Sequence, residues 1–423
     1  MIKAITGTKD ILPNEIPNWY NLEEIVKTIM NSFNYKEIRT PIFEETRLFS
    51  RGIGEATDIV SKEMYTFIDR SEISVTLKPE MTASVVRSLL EHSLDKQFQL
   101  NKLFYISPMF RQERPQAGRF RQFHQFGAEA LGSASPVLDA EMIILAYKIL
   151  NKLGLSNFVV KINSLGIPSS REIYKNQLKE FLADDVKNLS EESQKRYEIN
   201  ILRLFDSKDV HDQKIMENAP LLIEHLDETS LTHFNEVKEM LQVAGIPFEI
   251  DPKLVRGLDY YTHTTFELVS GSVGSQSALC GGGRYDLLVN EIGKRNVPGI
   301  GFAAGIERIL LAMENERLIP ETQPQIDYYI VRLEKELNKK VFEIANILRK
   351  NNSVEFDYSQ RSVKAQMREA NKLGATKVLI IGGDEYQRGT AVLKNMTDGS
   401  QEEILLTEIK WEKLLDESQF WKL

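Results

Sequence analysis

The chain has 423 residues, 42% of them hydrophobic and 27% charged, and carries a net charge of −8 at pH 7. That length suits about two to four globular domains, and the acidic balance excludes a surface coated in basic residues while leaving room for a local basic groove. The single cysteine, Cys280, excludes a disulfide framework and a multi-cysteine zinc site.

No apolar run reaches the roughly 18 residues of a membrane helix. The N-terminal "MIKAITGTKDILPNE" lacks the apolar core and cleavage site of a signal peptide, so a cytoplasmic location is expected. Residues 1–165 mix both element types: "EEIVKTIMNSF" has helical spacing, while "SVTLKP", "KLFYISPMF" and "RQFHQFGAEAL" read as strands. From residue 167 to about 242 the texture is helical, with Ser, Thr and Asp at several starts. Strand-like sequence returns from "IPFEIDPKLVRGLDYY" to "IGFAAGIERILLAMENE". One sheet-based domain, residues 1–325, interrupted by a helical insertion at 167–242, accounts for this order.

After the polar linker "RLIPETQPQ" the strands "DYYIVRL", "SVEFDYS" and "TKVLIIGG" alternate with the helices "NKKVFEIANILRKN" and "VKAQMREANKLG". A hairpin, "TAVLKNMTDGSQEEILL", and a terminal helix follow. Residues 326–423 therefore read as a separate α/β domain.

Five stretches carry chemistry. In "FRQERPQAGRFRQFHQFGAEAL" the arginines 111, 114, 119 and 121 lie on or beside a Pro/Gly turn, and the following strand places Gln125 and Glu129 on one face. Arginine's planar fork matches phosphate, and carboxylates match an ammonium. Histidine 124 points the other way and reads as a core or supporting residue. In "LKPEMTASVVRSLLEH", Glu80 and Thr82 open a helix; capping alone explains them unless Glu80 shares a ligand with Glu129. "ALCGGGRYDLL" allows close backbone approach or a sharp bend. "PGIGFAAGIERILLAME" matches a dinucleotide fingerprint formally, but not its strand–turn–helix context. Its glycines fit better as a strand running into a helix beside a flat ligand, with Arg308 at the helix start. No Walker-type phosphate loop is present. The six histidines show neither i,i+4 pairing nor cysteine partners, so no protein-held metal centre is expected. In "LVRGLDYYTHTTFE", Arg256 leaves an apolar strand beside a glycine and ahead of Tyr260 and Tyr261.

Together these stretches resemble one family. "IRTPIFEETRLF", "FRQERPQAGRFRQFHQFGAEA" and "GIGFAAGIER" look like the three signatures of class II aminoacyl-tRNA synthetases, and "LVRGLDYYTHTTFE" and "ALCGGGRYD" like those peculiar to histidyl-tRNA synthetases. The resemblance spans essentially the whole chain. It implies an α+β catalytic domain with an antiparallel six-stranded sheet, a helical insertion, a C-terminal α/β anticodon-binding domain, and a homodimer with the Pro41 segment at its interface. It further implies that ATP, with Mg2+, activates L-histidine to histidyl-adenylate and that the histidyl group passes to its tRNA.

Residue roles follow from the resemblance. Glu80, Met81, Thr82, Gln125 and Glu129 would bind histidine, with Tyr260, Tyr261 and Tyr285 closing its pocket. Arg111 and Arg256 would grip the α-phosphate from opposite sides as the catalytic cations. Glu113 would serve the adenine or a magnesium, Arg119 would reach the outer phosphates, and Phe123 and Arg308 would sandwich the adenine. The sequence departs from the family's usual Arg-Pro-Glu-Gly-Thr in having Lys78 and Met81. The alternative is a non-catalytic paralogue, the regulatory subunit of ATP phosphoribosyltransferase. The Arg-Gly-Leu-Asp-Tyr-Tyr stretch and the C-terminal domain argue against it.

Overall fold

The structure, a computed structural model, describes residues 2–53, 59–116, 118–255, 260–274, 278–320 and 325–407. Arg256 and the terminal helix read from the sequence lie outside these residues. The chain forms two compact units, Met1–Pro320 and Glu321–Leu423.

The first unit contains strands β1 (Lys36–Glu37), β2 (Phe43–Glu45), β3 (Tyr65–Ile68), β4 (Ser74–Leu77), β5 (Asn101–Phe110), β6 (Gln122–Leu131), β7 (Phe158–Ser164), β8 (Glu249–Ile250), β9 (Thr262–Ser270), β10 (Ala278–Arg284) and β11 (Gly299–Gly305). Its main sheet has the order β1-β5-β6-β11-β10-β9-β7-β8. The six inner strands pair antiparallel, as expected; two-residue strands, β1 and β8, add parallel edges that alternation in the sequence is too short to reveal. A small antiparallel sheet, β2-β4-β3, stands beside it.

Period-two alternation decides which side chains meet which face. On β6, Phe126, Ala128 and Ala130 enter the large core with Ile300, Phe302 and Ala304 of β11. The helices Pro136–Lys152 and Glu228–Val243 contribute Ile143, Ile149, Phe234 and Leu241 to that core. Gln125, Gly127 and Glu129 alternate with these residues and so face the other way. The opposite layer begins with the helix Thr82–Glu91, whose Val85, Val86 and Leu89 join Tyr105, Tyr260, Tyr261 and Tyr285 in a second apolar cluster. Between β7 and β8 the chain is mainly helical, from Pro168 to Val243. Its Tyr174, Leu178, Leu202 and Leu204 belong to this same cluster, so the insertion rests on the layer that carries the tyrosines.

The second unit has strands β12 (Ile326–Arg332), β13 (Val354–Phe356), β14 (Ala375–Ile381), β15 (Thr390–Asn395) and β16 (Gln401–Leu405) in the order β13-β12-β14-β15-β16. The first three are parallel and the last two form the antiparallel hairpin. Helices Asn338–Leu348 and Val363–Lys372 provide the crossovers, as read from the sequence, and each helps bury one face of the sheet.

Candidate active site

A cavity of about 640 Å³ opens on the β6–β11–β10 face of the first unit. It is lined by Glu80, Met81, Thr82, Arg111, Glu113, Arg119, Phe123, Gln125, Tyr260, Tyr261, Tyr285 and Arg308, so twelve of the fourteen residues singled out in the sequence line one wall system. Glu129 is not itself on the lining but bonds two residues that are, Thr82 and Tyr285, and Arg256 is outside the described residues; Val255 and Tyr260, on either side of the gap, both line the cavity.

One end is carboxylate and phenol. Glu80 accepts backbone hydrogen bonds from Thr82 (2.6 Å) and Ala83 (2.9 Å), so it does cap its helix. It also occupies the cavity wall. Thr82 turns its hydroxyl onward and donates to Glu129 Oε1 at 2.8 Å, while the Tyr285 hydroxyl donates to Glu129 Oε2. Burial pushes the Glu129 carboxyl up to about 8, against the pull of these two hydrogen bonds and with a smaller push from Glu80. Burial raises Glu80 as well. Two carboxyls deep in one pocket, both destabilised as anions, form a site that gains from receiving a cation. Gln125 presents a buried Oε1 that has no hydrogen-bond partner among the described residues, a polar atom open to a donor. Tyr260 packs against Tyr261 (4.8 Å between ring centres) and edge-on to Tyr285 (5.8 Å). Burial raises the phenol pKa of Tyr260 and Tyr285 well above the usual tyrosine range, so both remain hydroxyl donors.

The other end is cationic. The Arg111 guanidinium donates to the Pro79 carbonyl at 2.9 Å, lies 3.6 Å from Glu113 and sits over the Phe123 ring at 5.3 Å. Arg119 reaches Glu113 at 3.0 Å. Arg308 donates to the Ala278 carbonyl at 2.8 Å; burial, then Arg119, draws its pKa down, with Glu113 partly opposing. Three guanidiniums around one acidic residue make a site for several negative charges on a planar or tetrahedral framework.

The glycines make room. A Cβ on Gly299 would lie 2.5 Å from the Tyr285 ring, and one on Gly283 would lie 2.9 Å from the Tyr261 ring. The strand–helix reading of "GIGFAAGIER" holds, with β11 running directly into the helix Ile306–Asn315. His124 is a supporting residue, as expected: its Nδ1 is 2.9 Å from Glu307 and its ring meets Trp19 edge-on.

Sequence reasoning missed two features. Arg284, fully buried behind Tyr285, binds Asp139, Asp286 and the carbonyls of Ser133 and Ser135; His233 completes the group at Asp139. Its only sequence signal was its place beside Tyr285. The second is a rim from the insertion, where Arg196, Arg203 and Lys208 also line the cavity; helical periodicity alone marks no such role.

An antiparallel sheet that joins an arginine-rich hairpin to a glycine-bearing strand–helix unit around a nucleotide-sized cavity defines the catalytic fold of class II aminoacyl-tRNA synthetases. Residues 7–309 match the histidyl-tRNA synthetase family and residues 327–416 match the anticodon-binding domain family. The histidine–tRNA ligase of Halothermothrix orenii is 47% identical over 409 residues, covering 96% of this chain and 98% of that protein. The crystal structure of apo Staphylococcus aureus histidyl-tRNA synthetase superposes with a TM-score of 0.81 at 38% identity, covering 96% of this chain and 98% of the other. A Bacillus halodurans structure described as an ATP phosphoribosyltransferase regulatory subunit/histidyl-tRNA synthetase shares the fold, with a TM-score of 0.64 at 23% identity, covering 87% of this chain and 96% of its own. The chain belongs to the histidyl-tRNA synthetase family.

Proposed function

We propose that the chain activates L-histidine with ATP and transfers it to histidine-specific tRNA, and that the residues lining the cavity divide this work between its two ends. The observation that carries the reading is Glu129, a buried carboxylate bonded by Thr82 and Tyr285 beside a second buried carboxylate, with three arginines on the adjoining wall. Histidine's ammonium and imidazole match the first end, and a triphosphate matches the second.

Glu80, Thr82, Gln125 and Glu129 bind the amino acid's donors, with Met81 filling the wall and Tyr260, Tyr261 and Tyr285 closing around the ring. Arg111 holds the α-phosphate and Arg119 the outer phosphates. Phe123 and Arg308 hold the adenine between a ring and a guanidinium plane. The substrate is the Mg2+ complex of ATP. Glu113 and Glu267, which line the cavity, would meet the ion, held otherwise by phosphate oxygens and water.

In the first step a histidine carboxylate oxygen bonds to the α-phosphorus as the bond to the β-phosphate oxygen breaks, and pyrophosphate leaves. In the second, a terminal ribose hydroxyl of the tRNA bonds to the carbonyl carbon and the bond to the AMP phosphate breaks, with AMP leaving and its phosphate taking up the hydroxyl proton. Neither step needs a protein nucleophile; positioning and charge stabilisation by Arg111 and Arg256 supply the catalysis.

The second unit, Glu321–Leu423, serves the anticodon. A homodimer is supported by the exposed Phe43 and Phe67, which the β2-β4-β3 register puts on one face of the small sheet, and by the exposed Ile42, Ile68 and Ile73 beside them, close in sequence to Pro41. No helix among the described residues is long and apolar enough to cross a membrane; a tRNA substrate supports a cytoplasmic location. Charging of unfractionated tRNA with labelled histidine tests the reading. Histidine binding without adenylate formation or charging would favour the regulatory-paralogue alternative.

A further inference from the structure

Lys78 is an oddity of the first unit: its side chain is fully buried, and no carboxylate among the described residues lies within ion-pair distance. Desolvating an ammonium is costly unless it is well bonded, yet among the described residues its Nζ donates only to Thr40, to the carbonyl at 3.4 Å and the hydroxyl at 3.3 Å. The Thr40 hydroxyl in turn directs its proton toward Met81 Sδ and the Pro41 carbonyl, each at 3.4 Å. Met81 is buried. The two departures from the family pattern, Lys78 and Met81, therefore meet on one side chain.

What they hold is the turn that opens the pocket. Lys78 N–H donates to the Ile42 carbonyl at 2.9 Å and Phe110 N–H donates to the Lys78 carbonyl at 3.0 Å. Arg111 takes the Pro79 carbonyl, Glu80 caps the helix, and Thr82 donates to Glu129. From residue 78 to 82, backbone or side-chain hydrogen bonds run without interruption toward the pocket floor, while on the outer side the polar side-chain contact is Thr40.

We propose that Thr40 and Lys78 are positioning residues for histidine: the Thr40 hydroxyl, set between the Lys78 ammonium and the Met81 sulfur, fixes the turn that presents Glu80 and Thr82. This rests on the reading of that end as the histidine pocket. Neither residue lines the cavity, so their effect reaches the amino acid through Glu80 and Thr82; Arg111 touches the same turn at the Pro79 carbonyl but is also held by Phe123 and Glu113, so the arginine end moves less. Misplacing a binding group by a fraction of an ångström weakens the substrate it serves and spares the other.

The test is ATP–pyrophosphate exchange with the full-length protein. Thr40→Val keeps the shape and removes the hydroxyl; Thr40→Ser keeps the hydroxyl; Lys78→Met keeps the length and removes the ammonium. Thr40→Val and Lys78→Met are expected to raise KM for histidine about fivefold or more, with KM for ATP within about twofold of the parent. Thr40→Ser should recover most of that loss. If Lys78→Met does not fold, the two threonine variants decide alone. An unchanged histidine KM in Thr40→Val, or equal rises for both substrates, overturns the proposal. Glu129→Gln run in parallel separates the causes. If it weakens histidine while Thr40→Val does not, the positioning link alone is wrong; if neither does, the pocket reading falls and takes the proposal with it.

Discussion

Gly301 faces Glu129 directly across the β11–β6 ladder, and a Cβ at Gly301 would lie 1.7 Å from Glu129 Oε2. The same Cβ would also meet the Ala128 carbonyl at 2.7 Å, so no rotamer of Glu129 alone relieves it. The glycine is thus a steric requirement of the buried carboxylate. Gly301→Ala should push Glu129 off Thr82 and Tyr285, lowering histidine-dependent exchange by about 100-fold, the scale of losing an oriented polar contact. Overpacking of this kind costs about 1–3 kcal/mol of stability, so denaturant unfolding should show the variant weakened but folded. Parent-like exchange would place the substrate elsewhere.

Protonation of Glu129 gives a second expectation. Burial raises its carboxyl to about 8, whereas an unfolded glutamate titrates near its ordinary value of 4.5. Between those two pH values the folded state holds a proton that the unfolded state has lost. This contribution to stability is therefore present at low pH and declines as pH rises from about 4.5 to about 8, where it levels off. Glu129→Gln should flatten that decline. An arriving ammonium or imidazole donor favours the anion, so histidine binding near pH 7 should expel a proton. Calorimetry in buffers of different ionisation enthalpy would register the release in the parent and its loss in Glu129→Gln. Histidine affinity of the variant should drop by one to two decades, the worth of a charged hydrogen bond of about 1.5–3 kcal/mol, with ATP affinity little changed. Equal losses for both substrates would point to a general defect.

The residues assigned to chemistry all precede the linker, and the second unit has its own sheet and its own cores. Removal of residues 326–423 is expected to leave histidine activation largely intact while tRNA charging falls. Exchange and charging assays on the folded, truncated chain check this; undiminished charging would contradict the role given to the second unit.

Much of the site was legible because strand periodicity is a local property. In "RQFHQFGAEAL" the even spacing of Gln125 and Glu129 put both on the cavity side and His124 on the other, and the structure keeps that order. The strand–helix junction at Gly305 was likewise visible in its glycines. What escaped depends on partners remote in sequence. Arg284 meets Asp139 across 145 residues, and nothing in "GGGRYD" distinguishes a buried structural arginine from a ligand-binding one. Gly301 read as one of the glycines that let a strand run into a helix beside a flat ligand, whereas it leaves a gap for a side chain on another strand. The basic rim of Arg196, Arg203 and Lys208 follows from where the insertion is seated on the tyrosine layer, a tertiary fact that helical spacing does not encode.

Arg256 carries the boldest of the residue assignments. A guanidinium opposite Arg111 would offset the charge that builds as the histidine carboxylate attacks and pyrophosphate departs. A contact strongest in the transition state lowers the rate constant more than it weakens binding. Arg256→Ala should cut adenylation by at least about 100-fold, and Arg256→Lys should recover only part, because an ammonium lacks the planar fork. Transfer to tRNA should suffer less, since pyrophosphate has already left. Single-turnover measurement of each half-reaction checks this, and normal adenylation in folded Arg256→Ala would make the arginine structural.

The most direct test of the whole account is ATP–pyrophosphate exchange measured with each of the twenty amino acids in turn. A pocket built from Glu80, Thr82, Gln125, Glu129 and three tyrosines predicts exchange with L-histidine alone, abolished when Mg2+ is chelated. Exchange driven by a different amino acid, or none with histidine in a protein that binds both histidine and ATP, would contradict it.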